Sequence, residues 1–154
     1  MEFLLLLTSK DKEIVDLIYK AGFSIEENTP LCLLGRRYFG FLKRKQKRVV
    51  LCTENAKSYG GYSIPKSNRD EDYNQTSIYI RRALRHEAVH VAQSCNNGRL
   101  LNMNNGKKVK LHPYKKEALK NSTLISGNRG KEYEAYWMED RPKLVKQSLK
   151  KYCL

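Results

Sequence analysis

The string Arg85-His86-Glu87-Ala88-Val89-His90 sits inside the most helical stretch of the chain, Thr76 to Cys95. Ile80, Leu84, Val91 and Cys95, with Ala83 and Ala88 among them, keep a helical period, and Asn97-Gly98 marks the end. Residues four apart on a helix share one face, about one turn apart. His86 and His90 can therefore aim their rings at one point, each with a nitrogen about 2.0–2.1 Å from a Zn2+ ion placed there. The residue after the first histidine lies beside that face. Glu87 can reach a water activated by such an ion without ligating the ion itself, which is the position of a general base. The chain has three histidines and two of them fall in this pattern. The plain alternative is two unrelated core or surface histidines.

The surrounding sequence supplies the packing partners for that helix. Phe3 to Leu7 is the longest apolar run and reads as a buried first strand. Thr8 or Ser9 can cap a helix carrying Ile14, Leu17, Ile18 and Ala21 on one side, with Gly22 as its stop. Leu31–Gly35 and Arg37–Leu42 read as extended, and Val49–Thr53 as a strand. Residues 37–53 then form a hairpin whose turn holds the basic block Lys43–Arg48. Residues 54–75 read as a long loop, including Tyr59, Tyr62, Pro65, Asn68–Asp72 and Tyr73. A second loop spans 102–106, a short helix runs from Pro113 to Lys120, and 122–130 is again loop. Lys131–Asp140 and the residues after Pro142 read as the last two helices, with Trp137 and Met138 as core. A chain of 154 residues with this order of elements fits one α+β domain, 1–154.

Charge and cysteines bound the setting. The net charge is +14, from 30 Lys and Arg against 16 Asp and Glu, which attracts polyanions: nucleic acid, acidic protein or anionic lipid. Arg81, Arg82 and Arg85 precede the motif and can draw in an acidic substrate or form a solvated face. No apolar run approaches a membrane span and no basic leader precedes the first one, so a cytoplasmic protein without a membrane partner is expected. Cys32, Cys52, Cys95 and Cys153 are too far apart in sequence for a zinc knuckle or redox pair, and reduced, partly buried thiols are the expectation.

With those residues in view, the sequence resembles the zincin metallopeptidases. The likeness covers the 76–95 helix and, more weakly, a strand before it and a helix after it. It implies a zincin-like fold: a small twisted sheet whose edge strand, here Val49–Thr53, packs over the HExxH helix. In that arrangement Cys95 could approach Cys52. Gln93 and Asn96 stand where the metzincin extension has Gly and His, which excludes that subfamily. The gluzincin pattern, a glutamate on a later helix with a small residue three on, matches Glu132 with Ala135. Gluzincins usually carry Asp or Asn at the next place, where this chain has Tyr136, a candidate to support a ligand or an oxyanion. Glu134 and His112 remain alternative third ligands, the latter as in SprT-like proteases that cut DNA-linked proteins. The resemblance implies a zinc metallopeptidase acting on a polypeptide, with metal held by His86, His90 and Glu132 and with Glu87 as base. A nucleic-acid-associated protein with a vestigial zinc site, and a regulatory protease cutting a repressor, are the other readings.

Overall fold

The structure is a computed structural model and describes residues 2–60 and 75–154. The apolar run at the start is a 3₁₀ turn, Glu2–Leu6, rather than a strand. It buries Phe3 and Leu6 and is tied to the sheet by a side chain: the Phe3 amide donates to Glu27 Oε1 at 3.0 Å. Helix α1, Ser9–Lys20, starts at Thr8 in a capping box, in which Thr8 Oγ1 accepts from the Asp11 amide and Asp11 accepts in return. Its buried side is Ile14, Val15, Leu17 and Ile18.

Strand β1 is Ser24–Glu27, β2 is Gly40–Lys43 and β3 is Arg48–Leu51. Their order is β1-β3-β2, with β1 parallel and β2 antiparallel to β3. The hairpin is formed as expected, and Arg44–Lys47, basic except for Gln46, make its turn. Two expectations change. The segment Pro30–Leu34 is a 3₁₀ turn, because Pro30 at its first position suits a helical start and not a strand. Strand β3 is central and β2 is the edge. Val49, Val50 and Leu51 are all buried, as a strand covered on both faces must be.

Helix α2, Thr53–Gly60, occupies the start of the region read as loop. The remainder of that reading, with Tyr62, Pro65, Asn68–Asp72 and Tyr73, lies outside the described residues. Helix α3 is Gln75–Cys95. After a 3₁₀ turn at Pro113–Lys115 comes α4, Lys116–Ser126, which runs through much of the stretch read as loop and stops at Gly127 with φ 73°. Helix α5 is Arg129–Met138, capped by Asn128, and α6 is Pro142–Cys153. Helix α3 contacts α1, α2, α5, α6, β2 and β3, which explains why it is apolar on more than one side. The core around it includes Ile14, Ile18, Val49, Leu51, Leu84, Met138 and Leu149. Trp137 packs against that core partly buried.

The cysteines are paired, Cys32 with Cys52 and Cys95 with Cys153, so neither free thiols nor a Cys52–Cys95 bond is present. The reason is strand parity. Side chains alternate along β3: Val49 and Leu51 join the core on α3, whereas Val50 and Cys52 join a second cluster with Cys32 and Phe41. Cys52 therefore faces away from α3. Cys95, at the end of α3, meets Cys153 at the end of α6.

Candidate metal centre

Helix α3 brings His86 and His90 together through their one-turn spacing, and their Nε2 atoms stand 3.2 Å apart. Helix α5 supplies Glu132 opposite them. Its Oε1 is 3.1 Å from His86 Nε2 and its Oε2 is 2.9 Å from His90 Nε2. Small Ala135, fully buried, sits one turn after Glu132 on α5, the helix that lies along α3. One donor atom from each of the three residues falls within 4.8 Å of the other two. Two donors about 2.05 Å from a tetrahedral ion stand about 3.3 Å apart. The His86–His90 spacing comes within a few tenths of an ångström of that value, each histidine has one of the two Glu132 oxygens beside it, and two imidazoles with one carboxylate is a donor set that zinc accepts.

The site concentrates buried negative charge. Glu87, Glu132 and Glu139 are all buried around the two rings. Burial by itself would push the His86 pKa down, but the carboxylates of Glu132 and Glu139 outweigh it and lift it to about 10. Burial pushes Glu132 up, and its bonds to the two histidines more than reverse this, holding it far below the usual carboxylate range. Without a metal, a proton on an imidazole fills the same electrostatic role.

Both rings are held from behind. His90 Nδ1 donates to Gln93 Oε1 at 2.7 Å, in the tautomer that leaves Nε2 free for an ion. Gln93 in turn donates to Glu134 Oε1 at 2.9 Å and to the Lys131 carbonyl at 3.2 Å. His86 Nδ1 is buried, with Glu139 Oε2 at 3.4 Å, close in charge but not aligned as a hydrogen bond. Glu139 is fixed by buried Lys115, whose Nζ lies 2.8 Å from Oε1 and also donates to the Tyr136 carbonyl and Asp140.

Glu87 is buried beside the two rings. Burial pushes its carboxyl above the ordinary range. The edge strand passes directly over it at Gly40: a Cβ there would meet Glu87 Cγ at 3.0 Å and the Val50 carbonyl at 3.4 Å. The whole group lines a cleft of about 520 Å³ between β2 and the helices, with Phe39, Ser122 and Ile125 among its walls.

Of the expected site residues, His86, Glu87, His90 and Glu132 are brought together. Glu134 lies on another side of α5 and accepts from the amides of Leu101 and Asn102. His112 caps the turn at Pro113 by accepting from the Tyr114 amide, outside the His86–His90–Glu132 group. Tyr136 packs against His86 with the rings tilted at 60° and centroids 4.3 Å apart, its hydroxyl engaged by Ser122 and the Ala118 carbonyl. Of the three arginines expected to face a substrate or solvent, Arg81 and Arg85 are used internally, while Arg82 is half-exposed at the cleft. Arg81 donates to the Leu6 carbonyl, Arg82 pairs with Asp140, and Arg85 clasps buried Asp11 through two bonds. Sequence reasoning missed Gln93, Lys115 and Glu139. Only Glu139 left a usable trace, since it follows Glu132 by seven residues, two turns along one face.

An α+β domain with two histidines and a glutamate converging on one point, and a buried carboxylate beside them, is thus the class that the fold and site define. Residues 3–154 match the family described as a domain of unknown function (DUF8637), and the chain belongs to that family. No curated protein and no solved structure matches it.

Proposed function

We propose that this chain is a zinc-dependent peptidase of zincin-like, gluzincin type. The observation that carries the reading is the convergence of His86, His90 and Glu132 beside a buried Glu87 in an open cleft. When bound, a zinc ion would polarise the scissile carbonyl and acidify the attacking water. His86, His90 and Glu132 would hold it. Gln93 keeps His90 in the ligating tautomer, and the Glu139 carboxylate, held by Lys115, lies beside the His86 Nδ1. Glu87, its carboxyl raised by burial above the ordinary range, takes the proton from water and returns it to the leaving amine. Tyr136 packs against the His86 ring and lines the same cleft. The edge position of β2 suits an extended substrate backbone.

The test uses zinc-loaded protein and its Glu87→Gln variant on a mixture of peptides read by mass spectrometry. Wild type should cut and Glu87→Gln should keep zinc and lose cleavage by about a hundredfold or more. Equal cleavage by both would remove Glu87 as the base.

A second reading, a nucleic-acid-associated protein with a structural or vestigial zinc site, is favoured by the +14 charge and by exposed Lys143, Lys150 and Lys151 on α6. Among the described residues no helix is long and apolar enough to cross a membrane. Two disulfides support an oxidising surrounding over the cytoplasm that the sequence alone suggested.

A further inference from the structure

Five cations line the cleft, and they divide into two groups. Arg82 and Lys115 are bound to Asp140 and Glu139 and serve the scaffold. Arg37, Arg44 and Lys131 have no carboxylate partner among the described residues. They come from three different elements. Arg37 precedes β2, its guanidinium 5.7 Å from the Tyr59 ring centroid. Arg44 opens the hairpin turn and reaches across to the end of α3, where a Cβ on Gly98 would meet its Nη2 at 3.0 Å. Lys131 stands in the first turn of α5, one residue before Glu132. The carboxylates that line the cleft, Glu87, Glu132 and Glu139, all belong to the metal group and its support. With a divalent cation in place, the cleft carries a clear excess of positive charge and offers three unneutralised donors to whatever enters.

We propose that the cleft selects acidic polypeptide, with Asp or Glu side chains on the segment lying across the metal site meeting Arg37, Arg44 and Lys131. This rests on the peptidase reading and specifies its substrate class. Polypeptide is favoured over nucleic acid by the other walls. Phe39 and Ile125 are apolar, and among the described residues β2 pairs on one side only, which suits an extended peptide backbone. The cations stand on separate elements around a bounded cleft, where isolated carboxylates can meet them.

The test is a binding measurement on the zinc-loaded full chain carrying Glu87→Gln, so that nothing is consumed. The probes are a fluorescent Glu-rich peptide, the same peptide with Gln at every Glu, and an oligothymidylate of equal charge. The Glu-rich peptide should bind about tenfold more tightly than its Gln counterpart, as a few solvent-exposed ion pairs allow. That preference should shrink to within twofold when Arg37→Gln, Arg44→Gln and Lys131→Gln are combined. Equal binding of the two peptides, or a preference that survives the triple change, overturns the proposal. So does oligothymidylate that binds as tightly as the acidic peptide and loses its binding in the triple variant. Cleavage does not enter this measurement. A chain that binds acidic peptide yet cuts none would overturn the peptidase reading alone, and one that cuts without charge preference would overturn this inference alone.

Discussion

Gln93 is the most informative single side chain to change. It is 2% exposed and makes three side-chain hydrogen bonds: from His90 Nδ1, and to Glu134 and the Lys131 carbonyl. Gln93→Leu keeps the volume and removes all three. At about 0.5–1.5 kcal/mol each, the loss of stability should be about 2–4 kcal/mol. For a chain of this length that is a fall in Tm of about 5–15 °C. The effect on the metal is separate. His90 would lose the acceptor that fixes its tautomer, and such losses weaken metal binding by about 10–100-fold. Zinc affinity is read by competition with a chromophoric chelator, and stability by melting with and without zinc. Gln93→Glu is the control. Its carboxylate can still accept from His90 Nδ1, but it faces Glu134 where the amide had donated at 2.9 Å. It should therefore keep zinc affinity near wild type while losing stability. A Gln93→Leu protein whose zinc affinity stays within twofold of wild type would refute the claim that this amide orients the ligand.

Two other outcomes bear on the scaffold. Burial raises the Asp140 pKa, but the bonds to Lys115 and Arg82 outweigh that and hold it below its ordinary value. Its stabilisation is thus full above about pH 4, the unfolded value, and is lost as pH falls through the lower folded value. Asp140→Asn should be less stable than wild type in urea at pH 7, and the gap should close toward pH 3; a gap that persists in acid would contradict the pairing. Both disulfides should leave the native chain without a titratable thiol until a reductant is added. Thiols that react in the unreduced, denatured protein would contradict the pairing of Cys32 with Cys52 and Cys95 with Cys153.

What could be read from sequence follows from how local each feature is. Helix α3 was legible because some twenty residues keep one period, and the HExxH geometry follows from helical spacing alone. The hairpin was legible because its turn is a dense polar block between apolar segments. Strand β1 was not, because Ser24-Ile-Glu-Glu27 carries one apolar residue and its glutamates do tertiary work. Glu26 pairs with Arg48, and Glu27 accepts from the Phe3 amide. The first apolar run could not be assigned correctly because an apolar run this short does not distinguish a strand from a helical turn. Arg81 and Arg85 looked solvated because their partners, Leu6 and Asp11, lie far back in the chain. The cysteine pairing depended on which face of β3 each side chain takes and on the meeting of two helix ends. Glu139 is hard to read from sequence because it stands seven residues after Glu132, beyond the place four residues on, where Tyr136 stands, that the gluzincin resemblance marks for ligand support.

Zinc content, measured by elemental analysis of the purified full chain and its ligand variants, bears most directly on the metal centre. Wild type, Glu134→Ala and His112→Ala should each hold one zinc per chain, and Glu132→Ala should hold almost none. Zinc retained in Glu132→Ala, or lost in His112→Ala while the chain stays folded, would contradict the assignment of the third ligand and with it the geometry on which the chemistry depends.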